Sequence, residues 1–382
     1  MLRLRQDAVK YAVVECPVDD FVFGACVRMI SPALLALLRC PSCGSTQLDN
    51  QATAVVCRVC NVSYPKHAGY IDLMPRGVNY DYVSKYVTEE EQLSEELDYR
   101  DLAPAVLAAG VRNRTTVRLL NLNKNDVCLD NACGNGKFAV WNAHLVKTMV
   151  GNDPATMFAD VALAQIDLTQ ADSRNLPFDD NVFDKAFSLD VLEHFPIDVI
   201  DAYLAEQARV LKPGGQFLAM SNTREKSTLQ PLVSLSRWIG KQFVKAGVYD
   251  FEREKLRKSD HIKALETWED VLAAFERAGL KPVKVVFWNS VFTSFVEHVL
   301  MKLGEAWAGR AKAASASNKS AAISDGTDRE IRARRRLRGS LDRKGGLYYF
   351  LMLVTWFMEL DIWLFGSLRS GSYFIVVEKP RI

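Results

Sequence analysis

From residue 126 onward the chain alternates between short apolar runs and longer stretches with helical spacing. "DVCLD", "TMVGND", "AQIDLTQAD", "FDKAFSLD" and "GQFLAMSN" each read as a strand. Between them, "KFAVWNAHLVK" and "IDVIDAYLAEQARVL" read as helices. The second carries Ile197, Ile200, Leu204 and Leu211 on one stripe and is stopped by Lys212-Pro213-Gly214-Gly215. Further on, "TWEDVLAAFERAGLKPVKVVFW" offers Thr267 as a helix cap with Asp270 at the reciprocal position. Trp268, Leu272 and Phe275 face one way there, and Gly279 is the stop before a strand. A last strand, "SYFIVVEKP", spans 372–380. This alternation predicts an α/β fold: a doubly wound, mostly parallel sheet covered on both faces.

The flanking pattern divides the chain further. Residues 1–39 form an N-terminal extension, and within it 1–28 read equally as a genuine extension or as the product of an upstream start, since Met29 would begin the next unit well. Residues 40–76 alternate short β-like runs with Gly, Pro, Asn and Ser. Residues 77–125 are rich in charge and helix formers and predict a helical connector. The α/β core spans 126–289, an insertion of roughly 80 residues spans 290–371, and 372–382 return as the last core strand. The centre of the insertion, "GRAKAASASNKSAAISDG", has the Ala/Ser-rich composition of disorder.

Composition changes little in this picture. With 382 residues, 49% hydrophobic and 25% charged, the chain has the length for two or three domains and an ordinary globular core. The net charge of +2 selects no partner, yet "REIRARRRLRGSLDRK" at 329–344 sets eight basic residues against two acidic ones. Arg3, Arg5, Asp7 and Lys10 precede no long apolar segment, which argues against a secretory signal and for the cytoplasm.

The cysteines carry the first chemistry. Cys40, Cys43, Cys57 and Cys60 give C-x2-C-x13-C-x2-C, two knuckles that can aim four thiolates at one ion. Four thiolates make a closed tetrahedral zinc site, structural rather than catalytic. Redox pairs or chance are the alternative. His67 lies nearby but is not needed as a ligand.

"VCLDNACGNG" carries the second. An apolar strand ends in Asp130, and Gly134 and Gly136 let the backbone approach a ligand that a Cβ would push away. The G-x-G-x-x-G of a dinucleotide site is absent, because Ala132 takes the first position. Asp153 ends the second strand, 17 residues after Gly136, where a carboxylate can accept ribose hydroxyls. Asp172 ends the third strand and could meet an adenine amino group. Asp190, in "SLDVLEHF", ends the fourth.

Together "VCLDNACGNG", "GNDPATM", "ADSRNLPFDDNVFDKAFSLDVLEHF" and "ARVLKPGGQFLAMSN" strongly resemble class I S-adenosylmethionine-dependent methyltransferases of the type 11 kind, closely over about 115–225. The resemblance implies a Rossmann-like, seven-stranded sheet whose last strand runs antiparallel. It implies a cofactor site of Asp130, Ala132, Gly134, Gly136, Asp153, Pro154, Asp172, Ser173 and Asp190. Asp130 would orient the loop, Asp153 would hold the ribose, Asp172 and Ser173 would lie near the adenine and Asp190 near the reacting end. Ala132 stands where the family usually has glycine. The cofactor has no pyrophosphate, so the third dinucleotide glycine is not required. The tail "YPKHAGYIDLMP" resembles the zinc ribbon at the front of several bacterial methyltransferases, among them enzymes that methylate an rRNA guanine.

Methyl transfer from a sulfonium is an in-line displacement that the protein mainly positions and keeps dry. No catalytic base is evident; His194 is a weak candidate, read more readily as part of the helix start. "LYYFLMLVTWFMELDIWLF" (347–365) is long enough to span a bilayer, but Glu359 and Asp361 fall on roughly opposite sides of a helix, and the last strand must rejoin the sheet. Three readings stand: a lid packed over the active site, a helix lying flat on an anionic membrane beside the arginines, or arginines gripping RNA phosphate. With "SVFTSFVEHVLMKLGEAW" as a second apolar helix, the insertion suits a small or lipid-like acceptor, such as a quinone, a polyprenyl carrier or a lipid-linked sugar. The motifs also resemble quinone-biosynthesis methyltransferases more than the rRNA enzymes. An rRNA methyltransferase and a catalytically inactive binding scaffold are the alternatives. The expected place is cytoplasmic, with peripheral contact at the inner membrane face through 290–371. Oligomeric state is not legible.

Overall fold

In the computed structural model, residues 21–22, 25–26, 30–75, 102–245, 262–301, 303 and 345–381 are described. The core strands are β5 (Val127–Asn131), β6 (Thr148–Asp153), β7 (Asp167–Gln170), β8 (Phe183–Leu189), β9 (Leu211–Asn222), β10 (Lys281–Phe287) and β11 (Ser372–Glu378). They lie in the order β10-β11-β9-β8-β5-β6-β7. Pairing is parallel from β7 through β9, and β11 runs antiparallel to both neighbours. The strand order reverses between β5 and β8, which opens a crevice at their carboxyl ends.

Helices cover both faces, as buried two-sided strands require. α3 (Lys137–Asn142) and α4 (Asp160–Gln165) follow β5 and β6. α5 (Ile197–Val210) precedes β9, and α7 (Trp268–Arg277) precedes β10. On α5 the buried stripe is Val199, Ile200, Tyr203, Leu204, Gln207 and Val210, whereas Ile197 faces solvent and Leu211 already belongs to β9. The expected stripe was therefore off by one edge of the helix. α7 has the predicted capping box between Thr267 and Asp270, and Gly279 adopts φ +72° just past its end.

Two of the expected divisions are redrawn. The first is the ribbon. Strands β1 (Leu48–Asn50), β2 (Ala54–Cys57), β3 (Ser63–His67) and β4 (Tyr70–Asp72) form an antiparallel run. β4 then pairs in parallel with β7, Ile71 opposite Thr169, so the ribbon extends the core sheet to eleven strands. Tyr64, Ile71 and Leu73 share one buried cluster with Leu129, Val150 and Phe178 of the core. The second is the extension. Within it, α1 (Pro32–Leu35), capped by Ser31, docks on the core: Leu34 and Leu38 are buried, and Ser31 Oγ donates to Asp167 Oδ2 at 2.6 Å. Residues 1–28, apart from a two-residue ladder at 21–26, lie outside the described residues. So do the Ala/Ser-rich stretch and the arginine run.

The connector contributes α2 (Leu107–Leu120). α6 (Gln230–Lys245) follows β9. The insertion contributes α8 (Val291–Phe295), continued by a π-helical turn at Val296–Leu300, and α9 (Gly346–Phe365). α8 packs against both α6 and α9, and α9 also lies along α2.

Candidate active site and cysteine cluster

The glycine loop leaves β5 in left-handed backbone. Ala132, Gly134 and Gly136 have φ of +62°, +56° and +79°. Only the first carries a Cβ, and an L-residue in that conformation costs about 1–2 kcal/mol. The missing glycine at 132 is thus a strained substitution, not a neutral one. A Cβ at Gly134 would meet nothing within 4 Å and would stand in the crevice; one at Gly136 would strike the Ala162 side chain at 2.9 Å. The first glycine keeps space for a ligand, and the second lets α3 start against α4.

Asp153 fastens this loop to the sheet. Gly134 N–H donates to its Oδ2 at 2.7 Å and Ala155 N–H to its Oδ1 at 2.9 Å. Below it, Asn152 Nδ2 donates to Asn131 Oδ1 at 3.1 Å, Ser173 Oγ donates to the same oxygen at 2.8 Å, and Thr169 Oγ1 donates to Asn152 Oδ1 at 2.8 Å. This buried network ties the ends of β5, β6 and β7 and fixes the floor of the crevice. Asp130 is buried, and its Oδ2 has no hydrogen-bond partner. Burial, and next the charge of Asp153, push its carboxyl well up.

Asp130, Ala132, Gly134 and Asp153 line one cavity of about 1060 Å³, together with Pro154, Ser173 and Asp190; Gly136, expected with them, is not among its lining residues. Asp172, expected beside them, is not among the lining residues. Arg174, two positions on, folds back and donates from Nε and Nη2 to both Asp172 oxygens at 2.8–3.1 Å.

The opposite wall comes from elements the motif does not contain. α2 supplies Arg112, paired with Asp190 at 2.8 Å and stacked over the Trp288 ring. α6 supplies Gln230, Val233 and Arg237. α8 and its π turn supply Thr293, Ser294, Glu297 and His298 at helical spacing. Of the two insertion helices, only α8 supplies lining residues to the cavity; α9, for which a lid was one of three readings, packs on α8 and supplies none. Arg112 was missed in the sequence because a lone arginine in a helical connector carries no local signal.

Glu193 was missed beside His194, and both line the cavity. Its carboxylate accepts from Ser221 Oγ and, at 2.9 Å, from Asn222 Nδ2. Burial and then the Asp190 charge outweigh these bonds and raise its carboxyl to about 7. The acidic residue of "LEHF" is thus held between its charged and neutral forms near neutrality, the condition under which a group can take and return protons.

In the ribbon, the Sγ atoms of Cys40, Cys43, Cys57 and Cys60 lie within 4.8 Å of one another, with Cys40–Cys60 and Cys43–Cys57 both at 3.6 Å. Tetrahedral zinc with bonds of about 2.3 Å needs sulfurs about 3.8 Å apart. The two short pairs are close to that spacing, so the cluster is compatible with such an ion.

A methyltransferase domain profile matches residues 129–219, the stretch that holds the glycine loop, Asp153 and Asp190. Among curated proteins, the chain is 31% identical over 185 residues to a demethylmenaquinone methyltransferase of Bacillus licheniformis, covering 44% of this chain and 76% of that relative. It is 32% identical over 108 residues to the sterol 4-C-methyltransferase strm-1 of Caenorhabditis elegans, covering 26% of this chain and only 32% of that relative. Among solved structures, phosphoethanolamine N-methyltransferase 2 of Haemonchus contortus, in complex with S-adenosyl-L-methionine, is 16% identical with a TM-score of 0.45, covering 81% of this chain and 62% of that one. With identity above 30% across three quarters of the Bacillus enzyme, the chain belongs to the class I S-adenosylmethionine-dependent methyltransferases.

Proposed function

We propose that the chain methylates a lipid-like or small hydrophobic acceptor, of quinone, polyprenyl or lipid-linked sugar type. The observation that carries this reading is the composite cavity. One wall is the glycine loop and strand ends; the other is built by α6 and α8, amphipathic helices outside the matched domain that bring Val233 and the polar side chains Gln230, Thr293, Ser294 and His298 to the cavity. A volume of about 1060 Å³ stands at the upper end of what one small ligand occupies, which suits two ligands side by side. The quinone and sterol methyltransferases among its relatives are named for acceptors of this class.

The residues present fit the cofactor. Asp130 holds an unpartnered buried oxygen at the cavity, and the Gly134 position opens toward it. In this proposal Asp130, Ala132, Gly134 and Pro154 hold the methionine end of the cofactor, Asp153 the ribose and Ser173 the adenine side, while Gly136 shapes the loop through its packing on α4. Asp190, oriented by Arg112, faces the reacting end. Bound S-adenosylmethionine supplies an electrophilic methyl group on a sulfonium. Glu193 takes up the proton the acceptor loses, His194 completes the wall beside it, and α6 and α8 exclude water. Zinc at the four cysteines is structural, with no open position for substrate.

The test is transfer from methyl-labelled S-adenosylmethionine into a cell extract separated into RNA, lipid and small-molecule fractions. Label in the organic-soluble fraction is expected, and Glu193→Gln should lower it at least about tenfold if a proton acceptor is lost. Label in RNA would overturn the acceptor class. No label anywhere, with cofactor still bound, would make the chain a binding scaffold.

A further inference from the structure

The outer face of α9 is the largest apolar surface that any described helix turns to solvent. Tyr349, Phe350, Leu353, Trp356, Phe357, Trp363 and Leu364 all project outward; Leu353 is 61% exposed, Trp356 57% and Trp363 77%. At 100° per residue these positions fill one continuous arc, and no charged residue falls in it. The two acids of the helix are used inward. Glu359 pairs with Arg114 of α2 at 3.3 Å. Asp361, fully buried, accepts the backbone N–H groups of Phe292 and Thr293 at 2.8 Å each. The two acids, expected on roughly opposite sides of the helix, flank the buried stripe of Leu351, Thr355, Met358 and Ile362 from its two sides and leave the outer arc wholly apolar.

We propose that this face docks flat on an anionic lipid bilayer. Three observations select lipid over a protein partner. The arc has no hydrogen-bonding rim beyond its Tyr and Trp polar atoms, the side chains that suit the headgroup boundary. Its neighbours continue the same character: α8 and its π turn expose Phe295 and Leu300, and α6 exposes Leu232, Leu235 and Trp238 beside Arg237 and Lys241. The sequence leading into α9, residues 329–344, sets eight basic residues against two acidic ones, a charge complementary to anionic headgroups. The helix does not cross the bilayer. Its inner stripe packs on α2 and α8, Thr355 Oγ1 accepts from Leu107 N–H at 2.7 Å, and the chain runs on into β11 within the same sheet. A strongly apolar arc on one side and protein on the other is an interfacial helix. Arg237 lines the cavity and is also exposed, so the cavity opens beside α6, one helix away from the docking face across α8.

The test is flotation of the full chain with vesicles of phosphatidylcholine alone or with one-third phosphatidylglycerol, without cofactor or acceptor. Binding is therefore read independently of turnover, and the acceptor proposal can fail while this one stands. Binding to the anionic vesicles is expected, weakened by high salt and weaker again on neutral vesicles. The double variant Leu353→Glu, Trp363→Glu should bind at least about tenfold more weakly, because two apolar side chains are lost from the buried area. Its thermal midpoint and its affinity for S-adenosylhomocysteine should stay unchanged, since both positions face solvent. No flotation of the wild-type chain, or equal flotation of the double variant, would overturn the proposal. So would a concentration-dependent dimer that the double variant abolishes in the absence of vesicle binding, which would make the face a contact between copies.

Discussion

Glu193 and Asp130 are both buried carboxyls raised by burial, but they differ in how far their oxygens are satisfied. Asp130 has an orphan oxygen, whereas Glu193 accepts bonds from Ser221 and Asn222 and is raised only to about 7. The consequence for stability has a definite sign. A carboxyl whose folded value lies above its unfolded value, 4.5, binds more protons when folded, so its contribution is favourable at low pH and is lost as pH rises from about 4.5 through about 7. Across that window the wild-type chain should lose about 3 kcal/mol that Glu193→Gln does not lose. Denaturant unfolding of both proteins at pH 5 and pH 8 measures it, and equal slopes would show that Glu193 is not raised. At this scale much of the site was legible: the glycines, Asp153 and Asp190 follow from a strand, a tight turn and an acid at the next strand ends. The grip of Arg174 on Asp172 was not legible, because it depends on a side chain folding back over two residues, which no strand pattern encodes. Glu193 was overlooked because its neighbour His194 has the more familiar chemistry, while what raises Glu193 is its burial and then the Asp190 charge, and the bonds that moderate the rise come from Ser221 and Asn222 of β9.

At the scale of the element, α9 separates packing from patterning. Its sequence is apolar on every side, so periodicity could predict a helix but not which face it buries. What decides is the pair of acids, and they work through partners far off in the chain: Arg114 and the first turn of α8. Asp361 makes two charge-assisted bonds to backbone donors that otherwise have no intrahelical partner. Asp361→Ala should therefore cost about 2 kcal/mol, as the loss of a cap plus buried, unsatisfied N–H groups. Leu353→Ala on the outer arc of the same helix should change stability by no more than about 0.5 kcal/mol. Thermal unfolding of the two variants separates them, and a larger loss at Leu353 would mean that the outer arc is covered by protein. The element also explains the revised role of the insertion. α8 walls the cavity because its first turn is fixed by Asp361, and α9, which provides that anchor, is left with a face for something else.

The whole molecule is more continuous than its motifs. The cysteine spacing identifies a ribbon, and a ribbon of this size reads as a separate unit because its own core is too small for independent stability without a metal. Sequence patterning could not reveal that β4 would extend the methyltransferase sheet, since a three-residue strand has almost no periodic signal and its partner, β7, begins 95 residues later. Yet the pairing of Ile71 with Thr169 and the shared cluster of Tyr64, Leu73, Val150 and Phe178 make the ribbon one edge of the core. β7 carries Thr169, whose hydroxyl bonds to Asn152 in the network below Asp153, so the edge reaches the floor of the cavity through a single strand. Removing zinc should then not leave an intact catalytic core beside a frayed ribbon. Chelation should lower the midpoint of the whole chain in one transition and weaken S-adenosylhomocysteine binding severalfold, with Cys43→Ser reproducing both effects. The exposed Cys43 is the ligand whose replacement least disturbs packing. Calorimetry and titration with and without chelator measure the two quantities. Two separated transitions with undiminished cofactor affinity would return the ribbon to the status of an independent unit. A single lowered transition would mean that the metal at one edge of the sheet helps set the geometry of the cofactor loop at the strand ends.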